Sequence, residues 1–254
     1  MPEVMSGTDF RRYSRQTILP EVGVHGQAIL RDSCALIIGC GGLGCAAAPY
    51  LAGAGVGRLM LVDNDRIEAS NLQRQLLFRT ADVGRPKAEV AAAALRALNP
   101  QVEVVPQVEV ASDANLLQWA READVVLDCS DNFPTRFAIN AACVAARRPL
   151  VSGAALRLEG QLAVFDLRRG GPCYACLYPQ RGNMQGERCE DAGVLGPVVG
   201  TIGTLQALAA IKLLLGLDAG SGTVRAWDAA SGEWRKLTLR QPDPDCEICR
   251  FALK

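Results

Sequence analysis

A glycine-rich stretch early in the chain has the residue types and spacing of a phosphate-binding turn. Residues 39–44 read Gly-Cys-Gly-Gly-Leu-Gly, which fits the G-x-G-x-x-G pattern, and they follow a short apolar run. In this pattern the first glycine, Gly39, permits a tight turn, Gly41 lets a phosphate approach the backbone, and Gly44 allows close helix packing. The helix that starts there would present free N–H groups to an anion. A nucleotide site is therefore predicted, with a purely structural strand–helix turn as the alternative.

An acid and several cations follow the glycine loop. Asp63 ends the second apolar run, close to the offset of roughly 20 residues that is typical of a ribose-binding acid. Arg74 and Lys87 lie in two polar stretches, SNLQRQ and GRPK, and Asp131 follows a later apolar run. Arginine, lysine and Mg²⁺ stabilise the charge that develops during phosphoryl and nucleotidyl transfer, so these residues are candidates for ATP chemistry. Taken singly, Arg74 and Lys87 could be surface charges and Asp131 a helix N-cap.

The glycine loop alone does not identify the nucleotide. No Lys-Ser or Lys-Thr pair follows Gly44, which excludes a P-loop in its usual form. An oxidoreductase that binds NAD at residues 39–44 is therefore a second function class. Such an enzyme would leave the cations that follow without a role.

Two Cys-x-x-Cys pairs form a second set of chemically competent residues. Cys173 and Cys176 make one pair, and Cys246 and Cys249 make the other. This spacing lets two thiolates converge on one tetrahedral metal, so both pairs together predict a closed structural Zn²⁺ site. The separation between the pairs exceeds that of a compact zinc ribbon, so the site would tie a long chain segment. A redox dithiol or incidental cysteines are the alternatives.

Composition narrows the partners and the compartment. The 254 residues carry 27 basic and 27 acidic side chains, so no broad field draws the chain to nucleic acid or an anionic membrane. The N-terminal residues lack the apolar core of a signal peptide, and we expect reduced thiols in the cytoplasm. The apolar stretch 194–217 contains polar residues, which favours a buried or interface helix over a membrane span. Its glycines Gly196, Gly200 and Gly203 would allow close packing in a dimer or in the core.

Alternating strands and helices are needed to bring these residues together. Short apolar runs predict strands at residues 34–39, 58–63, 102–105 and 124–129, and the segments between and after them predict helices at 41–55, 88–98, 115–122 and 135–147. This alternation predicts an α/β fold with a Rossmann-like, doubly wound, mostly parallel sheet. Because ligands bind at the carboxyl ends of such strands, Asp63 and Asp131 should face one crevice.

The pattern changes after residue 150. Further strands are predicted at 160–167, 223–228 and 234–239, with a helix near 197–215. Without regular helices between them, these strands predict an antiparallel extension of the sheet. No linker or repeat interrupts the sequence, so we expect a single domain, 1–254. Its parts are an N-terminal helical segment at 1–32, a nucleotide-binding part at 33–150, and a part at 151–254 that bears the zinc site.

Several stretches resemble the ThiF/MoeB/HesA family, which is related to the adenylation domains of ubiquitin-activating enzymes. They are residues 13–16 (YSRQ), 36–44 (LIIGCGGLG), 70–75 (SNLQRQ), 84–87 (GRPK), 128–132 (DCSDN) and 193–212. The resemblance extends from about Arg12 to Cys249, and SNLQRQ is far more specific than the glycine loop. It implies ATP-dependent adenylation of the C-terminal Gly-Gly carboxylate of a ubiquitin-like sulfur-carrier protein, by an adenylation domain whose last part, 151–254, binds the carrier.

The thiamine-biosynthesis (thiazole) members resemble this chain most, and the molybdopterin-synthase carrier adenylyltransferases are the alternative. A non-catalytic adaptor that only binds a ubiquitin-like partner is a third function class.

The resemblance also assigns roles to residues. It implies a homodimer in which Arg15 of one subunit reaches the ATP phosphates of the other. Asp63 would bind the ribose, and Asp131 would serve Mg²⁺ and, with Arg15, Arg74 and Lys87, catalysis. The remaining nucleotide contacts would come from Gly39, Gly41, Gly42, Gly44, Asn71 and Asn132. No general base is needed, because the attacking carboxylate is already ionised at neutral pH.

Cys189 is unpaired and lies in a polar stretch, within a loop predicted at 178–192. Arg188 would favour its thiolate, whereas Glu187 and Glu190 would oppose it. Members of the family carry a cysteine here that can join covalently to the carrier during sulfur transfer, so Cys189 completes the candidate catalytic set. A spectator role is the alternative. The 254 residues contain no rhodanese-like extension, so a separate sulfur-donor protein is expected.

Overall fold

A computed structural model describes residues 7–179 and 192–250. Within these ranges a mixed sheet carries helices on both faces. The elements in chain order are α1 (Gly7–Thr17), α2 (Gly23–Arg31), β1 (Cys34–Ile38), α3 (Gly42–Ala54), β2 (Arg58–Val62), α4 (Lys87–Leu98), β3 (Glu103–Gln107), α5 (Asp113–Glu122), β4 (Val125–Asp128), α6 (Phe133–Ala146), β5 (Leu150–Leu156), β6 (Glu159–Phe165), α7 (Tyr174–Leu177), α8 (Gly196–Leu214), β7 (Thr223–Asp228) and β8 (Glu233–Thr238). Two 3₁₀ turns, Ala69–Asn71 and Thr80–Asp82, lie between β2 and α4.

The strand order is β3-β2-β1-β4-β5-β6-β7-β8. The pairs from β3 to β5 are parallel, and those from β5 to β8 are antiparallel. After β3 the chain returns to place β4 beside β1, so the strand order reverses between these two strands. That reversal opens a crevice outside their carboxyl ends. The predicted Rossmann-like sheet with an antiparallel extension is confirmed.

Sequence patterning located most elements to within two residues but missed β5. This strand pairs in parallel with β4 and antiparallel with β6, so it joins the two halves of the sheet. Its middle residues, Ser-Gly-Ala-Ala, are small and carry neither a continuous apolar run nor a clear alternation. The packing of both neighbours stabilises β5, and that tertiary contribution leaves little local signal.

Two apolar layers flank the sheet. Side chains from α3, α4 and α8 pack on one face, and side chains from α5, α6 and α7 pack on the other. β1 is buried at every position because both faces are covered, which explains its unbroken apolar sequence. By length and composition α8 could cross a membrane, but half of its apolar window is buried inside the protein. Helix α8 packs on α3 and on β4, β5 and β6 as a core helix.

Close approach of α8 to α3 depends on Gly203. A Cβ atom at this position would lie 2.3 Å from the carbonyl oxygen of Leu43 and 2.8 Å from Cβ of Ala46. One turn earlier, a Cβ at Gly200 would meet nothing within 4 Å. The prediction of close packing at this glycine run is therefore confirmed for Gly203 as a core contact.

Substituting Gly203 by alanine should force α8 away from α3. We expect Gly203→Ala to lower the free energy of unfolding by about 1–3 kcal/mol, the usual cost of overpacking. Gly200→Ala is the matched control on the same helix and should raise that free energy by about 0.5–1 kcal/mol, because alanine restricts the unfolded chain. Urea denaturation followed by circular dichroism measures both. Equal effects of the two substitutions would contradict this packing.

Candidate active site and metal centre

A cleft of about 1010 Å³ opens at the carboxyl ends of the parallel strands and continues over β5, β6 and β7. Most of the nucleotide-binding residues predicted from sequence line it: Gly39, Gly41, Gly42, Asp63, Asn71, Arg74, Lys87, Asp131 and Asn132. Gly44 lies one turn into α3 and is not a lining residue, and neither is the exposed Arg15. Cys189 and most of the loop predicted at 178–192 lie outside the described residues. The fold thus places side chains from several strand ends around one cavity.

The glycine loop takes the backbone shape that its spacing predicts. Gly39 has φ +96°, and a Cβ there would lie 2.6 Å from the carbonyl oxygen of Cys129 at the end of the neighbouring strand. A Cβ at Gly44 would lie 2.0 Å from the carbonyl oxygen of Gly39, so the first turn of α3 packs directly on the loop. Larger side chains at these two positions would displace the loop or the helix. The loop therefore leaves room for a ligand beside the N-terminus of α3.

Asp63 is held against the glycine loop by two backbone donors. The N–H of Cys40 donates to Oδ2 of Asp63 at 2.7 Å, and the N–H of Asp65 donates to Oδ1 at 2.8 Å. Burial raises the pKa of the Asp63 carboxyl, and the charge of Lys87 and the two N–H donors only partly offset this effect. The carboxylate thus lies in a weakly solvated position, where a neutral donor such as a sugar hydroxyl would stabilise it.

Lys87 is a buried cation beside the cleft. The residue is only 7% exposed, so the interpretation of Lys87 as a surface charge is wrong. Its Nζ lies 2.8 Å from Oδ2 of Asp65. Burial alone would lower the pKa of the ammonium group, but the hydrogen bond to Asp65 and the charge of Asp63 raise it. Lys87 therefore stays charged at neutral pH and can attract an anion in the cleft.

Arg74 and Gln75 come from the turn after β2. Arg74 is half-buried, and its Nη1 donates to the carbonyl oxygen of Ser70 at 3.1 Å. Gln75 is 2% exposed and lines the cleft, yet its Oε1 accepts no hydrogen bond from the described residues. A buried acceptor without a partner is costly, so a donor from a ligand would stabilise it. Sequence reasoning assigned no role to Gln75, although it ends the specific SNLQRQ stretch.

Asp131 is exposed at the cleft, on the loop between β4 and α6. The alternative role for it as a helix N-cap is wrong, because Asn132 caps α6 by accepting the N–H of Thr135 at 3.0 Å. The Asp131 carboxylate is therefore left facing the cavity. A carboxylate is a ligand that suits Mg²⁺.

A buried ion pair fixes the loop that carries Asp131. Nη1 of Arg136 lies 3.3 Å from Oδ2 of Asp128 and 2.8 Å from the carbonyl oxygen of Gly153, and Nη2 donates to the carbonyl oxygen of Ser130. The hydroxyl of Ser152 donates to Asp128 at 2.7 Å. Burial alone would lower the pKa of Arg136, but the charge of Asp128 raises it, so the guanidinium group stays charged.

Sequence reasoning did not single out Arg136. The available signal was an arginine within a largely apolar helix, eight positions after an aspartate that ends a buried strand. Charged residues in apolar surroundings are usually paired. Its role in joining β4, β5 and α6 could be recognised only from the fold.

The two Cys-x-x-Cys pairs converge in space, as predicted. The sulfur atoms of Cys173, Cys176, Cys246 and Cys249, called here the four-cysteine centre, all lie within 4.8 Å of one another. The Sγ of Cys173 lies 3.9 Å from that of Cys176 and 3.7 Å from that of Cys246. Tetrahedral zinc with bonds of about 2.3 Å places its sulfur ligands about 3.8 Å apart, so the donor set fits Zn²⁺.

Two tyrosines connect the four-cysteine centre with the cleft. Tyr174 and Tyr178, called here the tyrosine wall, line the cleft and have ring centroids 5.0 Å apart. Tyr178 shares hydrogen bonds of 2.9–3.0 Å with the side-chain amide of Gln161 on β6. Tyr174 directly follows Cys173, so the position of the tyrosine wall depends on the geometry of the first cysteine pair.

Comparisons with known proteins give matches along nearly the whole chain. The family model described as "ThiF family" matches residues 13–248. "Adenylyltransferase and sulfurtransferase MOCS3" of Sus scrofa is 51% identical over 247 residues, which cover 96% of this chain and 54% of that protein. "Sulfur carrier protein ThiS adenylyltransferase" of Escherichia coli K12 is 49% identical over 246 residues, which cover 96% of this chain and 97% of that protein.

This chain thus spans about half the length of the MOCS3 relatives. Among solved structures, a crystal structure of E. coli MccB with ATP superposes with a TM-score of 0.82 at 25% identity. The match covers 96% of this chain and 75% of the MccB chain.

Removing the guanidinium group of Arg136 should leave the Asp128 carboxylate buried without a charged partner. We expect Arg136→Met to lower the free energy of unfolding by about 3–5 kcal/mol, measured by urea denaturation at neutral pH. The double variant Asp128→Asn/Arg136→Met should lose less, because no unpaired charge remains. If the double variant were less stable than Arg136→Met, the ion-pair argument would be wrong.

Proposed function

Because this chain belongs to the ThiF family, we propose that it is a sulfur-carrier adenylyltransferase. It uses ATP to adenylate the C-terminal Gly-Gly carboxylate of a ubiquitin-like sulfur-carrier protein. The observation that carries this proposal is the single cleft in which the glycine loop, Asp63, Arg74, Lys87 and Asp131 meet. The fold similarity to MccB, which has been solved with ATP, supports ATP over NAD in this cleft.

Different residues of the cleft would bind different parts of the nucleotide. The triphosphate lies along the N–H groups at the start of α3, where the helix dipole favours an anion. Asp63 accepts hydrogen bonds from the ribose hydroxyls, and Asn71, Arg74 and Lys87 contact the phosphates. Asp131, with Asn132 beside it, would hold Mg²⁺, which supplies positive charge to the phosphate oxygens when bound.

The reaction is a displacement at the α-phosphorus. A carboxylate oxygen of the carrier forms a bond to that phosphorus, the bond to the bridging oxygen breaks, and pyrophosphate leaves with the electron pair. Negative charge grows on the phosphate oxygens during this step, and Arg74 and the buried, protonated Lys87 stabilise it. No proton needs to be removed, so the cleft requires cations rather than a general base.

The part of the cleft over the antiparallel strands suits a slender peptide tail. Ala154 on β5 and Ala226 on β7 line this part, and Gln161 lies between them in register. Small side chains on the floor leave space for an extended chain whose own residues lack side chains. We therefore propose that the Gly-Gly tail reaches the α-phosphate along this floor, beside the tyrosine wall.

We assign the carrier to thiamine (thiazole) biosynthesis, with the molybdopterin carrier as the alternative. Overall identity does not separate the two pathways, because relatives named for ThiS and relatives named MOCS3 are 49% and 51% identical to this chain. The thiamine assignment therefore rests on the sequence resemblance alone. A homodimer would bring the exposed Arg15 to the nucleotide of the partner subunit. Cys189 would act afterwards, in sulfur transfer from a separate sulfur-donor protein, and the reaction would take place in the cytoplasm.

Zinc completes the proposed function as a structural ion. Four thiolates around one ion leave no open coordination position, so the four-cysteine centre takes no direct part in catalysis. Its contribution is to connect Cys246 and Cys249 with the α7 segment. This connection stabilises the antiparallel part of the sheet, over which the carrier tail would lie.

Isotope exchange between ATP and labelled pyrophosphate tests the proposed reaction. We expect exchange only when a carrier with a C-terminal Gly-Gly is present, and a thiamine-type carrier should support it better than a molybdopterin-type carrier. Arg74→Ala should reduce the exchange rate by about 10²–10³-fold, because a charge that stabilises the transition state is lost. Carrier binding, measured by calorimetry, should persist in this variant.

Arg85→Ala is the matched control for Arg74→Ala. Arg85 lies in the neighbouring GRPK stretch, pairs with Asp82 at 2.7 Å and does not line the cleft. Its substitution should leave the exchange rate nearly unchanged. No exchange with either carrier, together with binding of NAD, would replace the adenylation proposal by the oxidoreductase alternative.

Metal analysis tests the structural ion. We expect one Zn²⁺ per chain, and the variant Cys246→Ala/Cys249→Ala should lose it, because only two thiolates remain. Cys143→Ala is the control: this cysteine is also fully buried but does not belong to the four-cysteine centre. Zinc content measured by atomic emission should stay at one per chain in the control. Zinc retained in the double variant would contradict the assignment.

A further inference from the structure

A fully buried asparagine on α6 directs both ends of its side-chain amide at the first cysteine pair. Asn140 is 0% exposed. Its Nδ2 donates to the Sγ of Cys173 at 3.5 Å, and its Oδ1 accepts the N–H of Tyr174 at 2.9 Å. The amide therefore contacts a cysteine sulfur and the backbone of the next residue at the same time.

The net charge of a metal bound by four thiolates explains how this contact would stabilise the site. Four thiolates and one divalent cation sum to a net charge of −2, and the four-cysteine centre lies within an apolar cluster. A buried negative charge is stabilised by N–H groups that point at it. Asn140 supplies one such donor from a side chain, and the backbone N–H of Asp243 supplies another to Cys176 at 3.4 Å.

Helix α6 connects this contact with the cleft. Asn132, Arg136 and Asn140 follow one another at four-residue spacing, which places them on one face of the helix. Asn132 lines the cleft, Arg136 fixes the loop that carries Asp131, and Asn140 contacts the cysteine pair. One side of one helix thus contacts both the proposed nucleotide site and the proposed metal site.

We propose that Asn140 is a positioning residue for the metal at the four-cysteine centre, and that the loaded centre in turn fixes the tyrosine wall of the cleft. The inference rests on the proposal that the four thiolates bind zinc. Asn140 acts by stabilising the thiolate of Cys173 and by holding the N–H of Tyr174, which fixes the start of α7. The position of the tyrosine wall, which the carrier tail would pass, therefore depends on whether the metal is bound.

Metal affinity and the cobalt spectrum of purified full-length variants test the first step. In Asn140→Leu, the affinity for Zn²⁺ in competition with a chromophoric chelator should fall about 10–100-fold, the usual effect of losing an outer-shell partner. In the Co²⁺-loaded variant the thiolate-to-cobalt charge-transfer band should move to lower energy, because the sulfur loses a hydrogen-bond donor. A purely structural role for Asn140 would leave this band in place.

Asn99→Leu is the matched control. Asn99 is also 0% exposed, and its Nδ2 donates to the carbonyl oxygen of Ala52 and to the hydroxyl of Tyr13, away from the cysteines. This control should lose stability but keep the zinc affinity and the cobalt spectrum of the unsubstituted chain. A buried leucine can prevent folding, so Asn140→Asp, the closest isostere, is measured in parallel. Its carboxylate repels the thiolate, so its zinc affinity should fall further than in Asn140→Leu.

Hydrogen exchange tests the second step. In the zinc-loaded unsubstituted chain the amides of residues 174–178 should exchange slowly. Loaded Asn140→Leu, which removes the acceptor of the Tyr174 N–H, should exchange them faster than loaded Asn99→Leu. Unchanged affinity, spectrum and exchange in both Asn140 variants would overturn the inference while leaving zinc binding intact. Failure of the unsubstituted chain to bind zinc would overturn the inference and the zinc assignment together, without affecting the adenylation assay.

Discussion

The buried pair of Asp128 and Arg136 is the constraint around which the rest of the site is arranged. A carboxylate that is 1% exposed must be paired and hydrogen-bonded, or it would destabilise the fold severely. Its partners are Ser152 on β5 and Arg136 on α6. These contacts therefore connect the parallel pair of β4 and β5 with α6. On the opposite face, Nε2 of Gln206 donates to the carbonyl oxygens of Asp128 and Val151 at 2.8 and 3.2 Å. Both faces of the sheet are thus fixed at the β4–β5 junction, where the cleft passes from the parallel strands to the antiparallel strands.

Two kinds of sheet meet at that junction, and each suits a different ligand. Parallel strands bring their carboxyl ends and the following loops to one edge, which concentrates N–H donors and cations where phosphates can bind. Antiparallel strands instead offer a broad face, and β6 and β7 present alternate side chains along it. A reaction between a nucleotide and the tail of a protein needs both surfaces side by side. The sheet supplies both surfaces, because β4, β5 and β6 are hydrogen-bonded neighbours in it.

Much of this arrangement could be predicted from the sequence, and the misses share a physical cause. Gly39 and Gly44 were predictable because their roles depend on local backbone geometry, and the cysteine pairs because thiol spacing reports directly on metal geometry. β5, Arg136 and Asn140 were not, because each is determined by contacts between residues distant in sequence. Gln75 belongs to the recognised SNLQRQ motif. That its Oε1 is buried without a hydrogen-bond donor among the described residues can be seen only in the folded structure. The interpretation of Lys87 as a surface charge failed for the same reason, since a lysine at the start of a helix gives no sign that it will be buried and paired with Asp65.

The four-cysteine centre joins α7 to residues near the end of the described chain, with α8, β7 and β8 between. Synthesis on the ribosome is vectorial, so Cys173 and Cys176 emerge long before Cys246 and Cys249 are made. Until then a metal at this centre would have only half of its ligand set. Arrival of the second pair would let a bound metal join the two ends of the intervening segment and restrict the conformations that it can adopt. A zinc site built from all four thiolates would therefore be completed only after α8, β7 and β8 have been made.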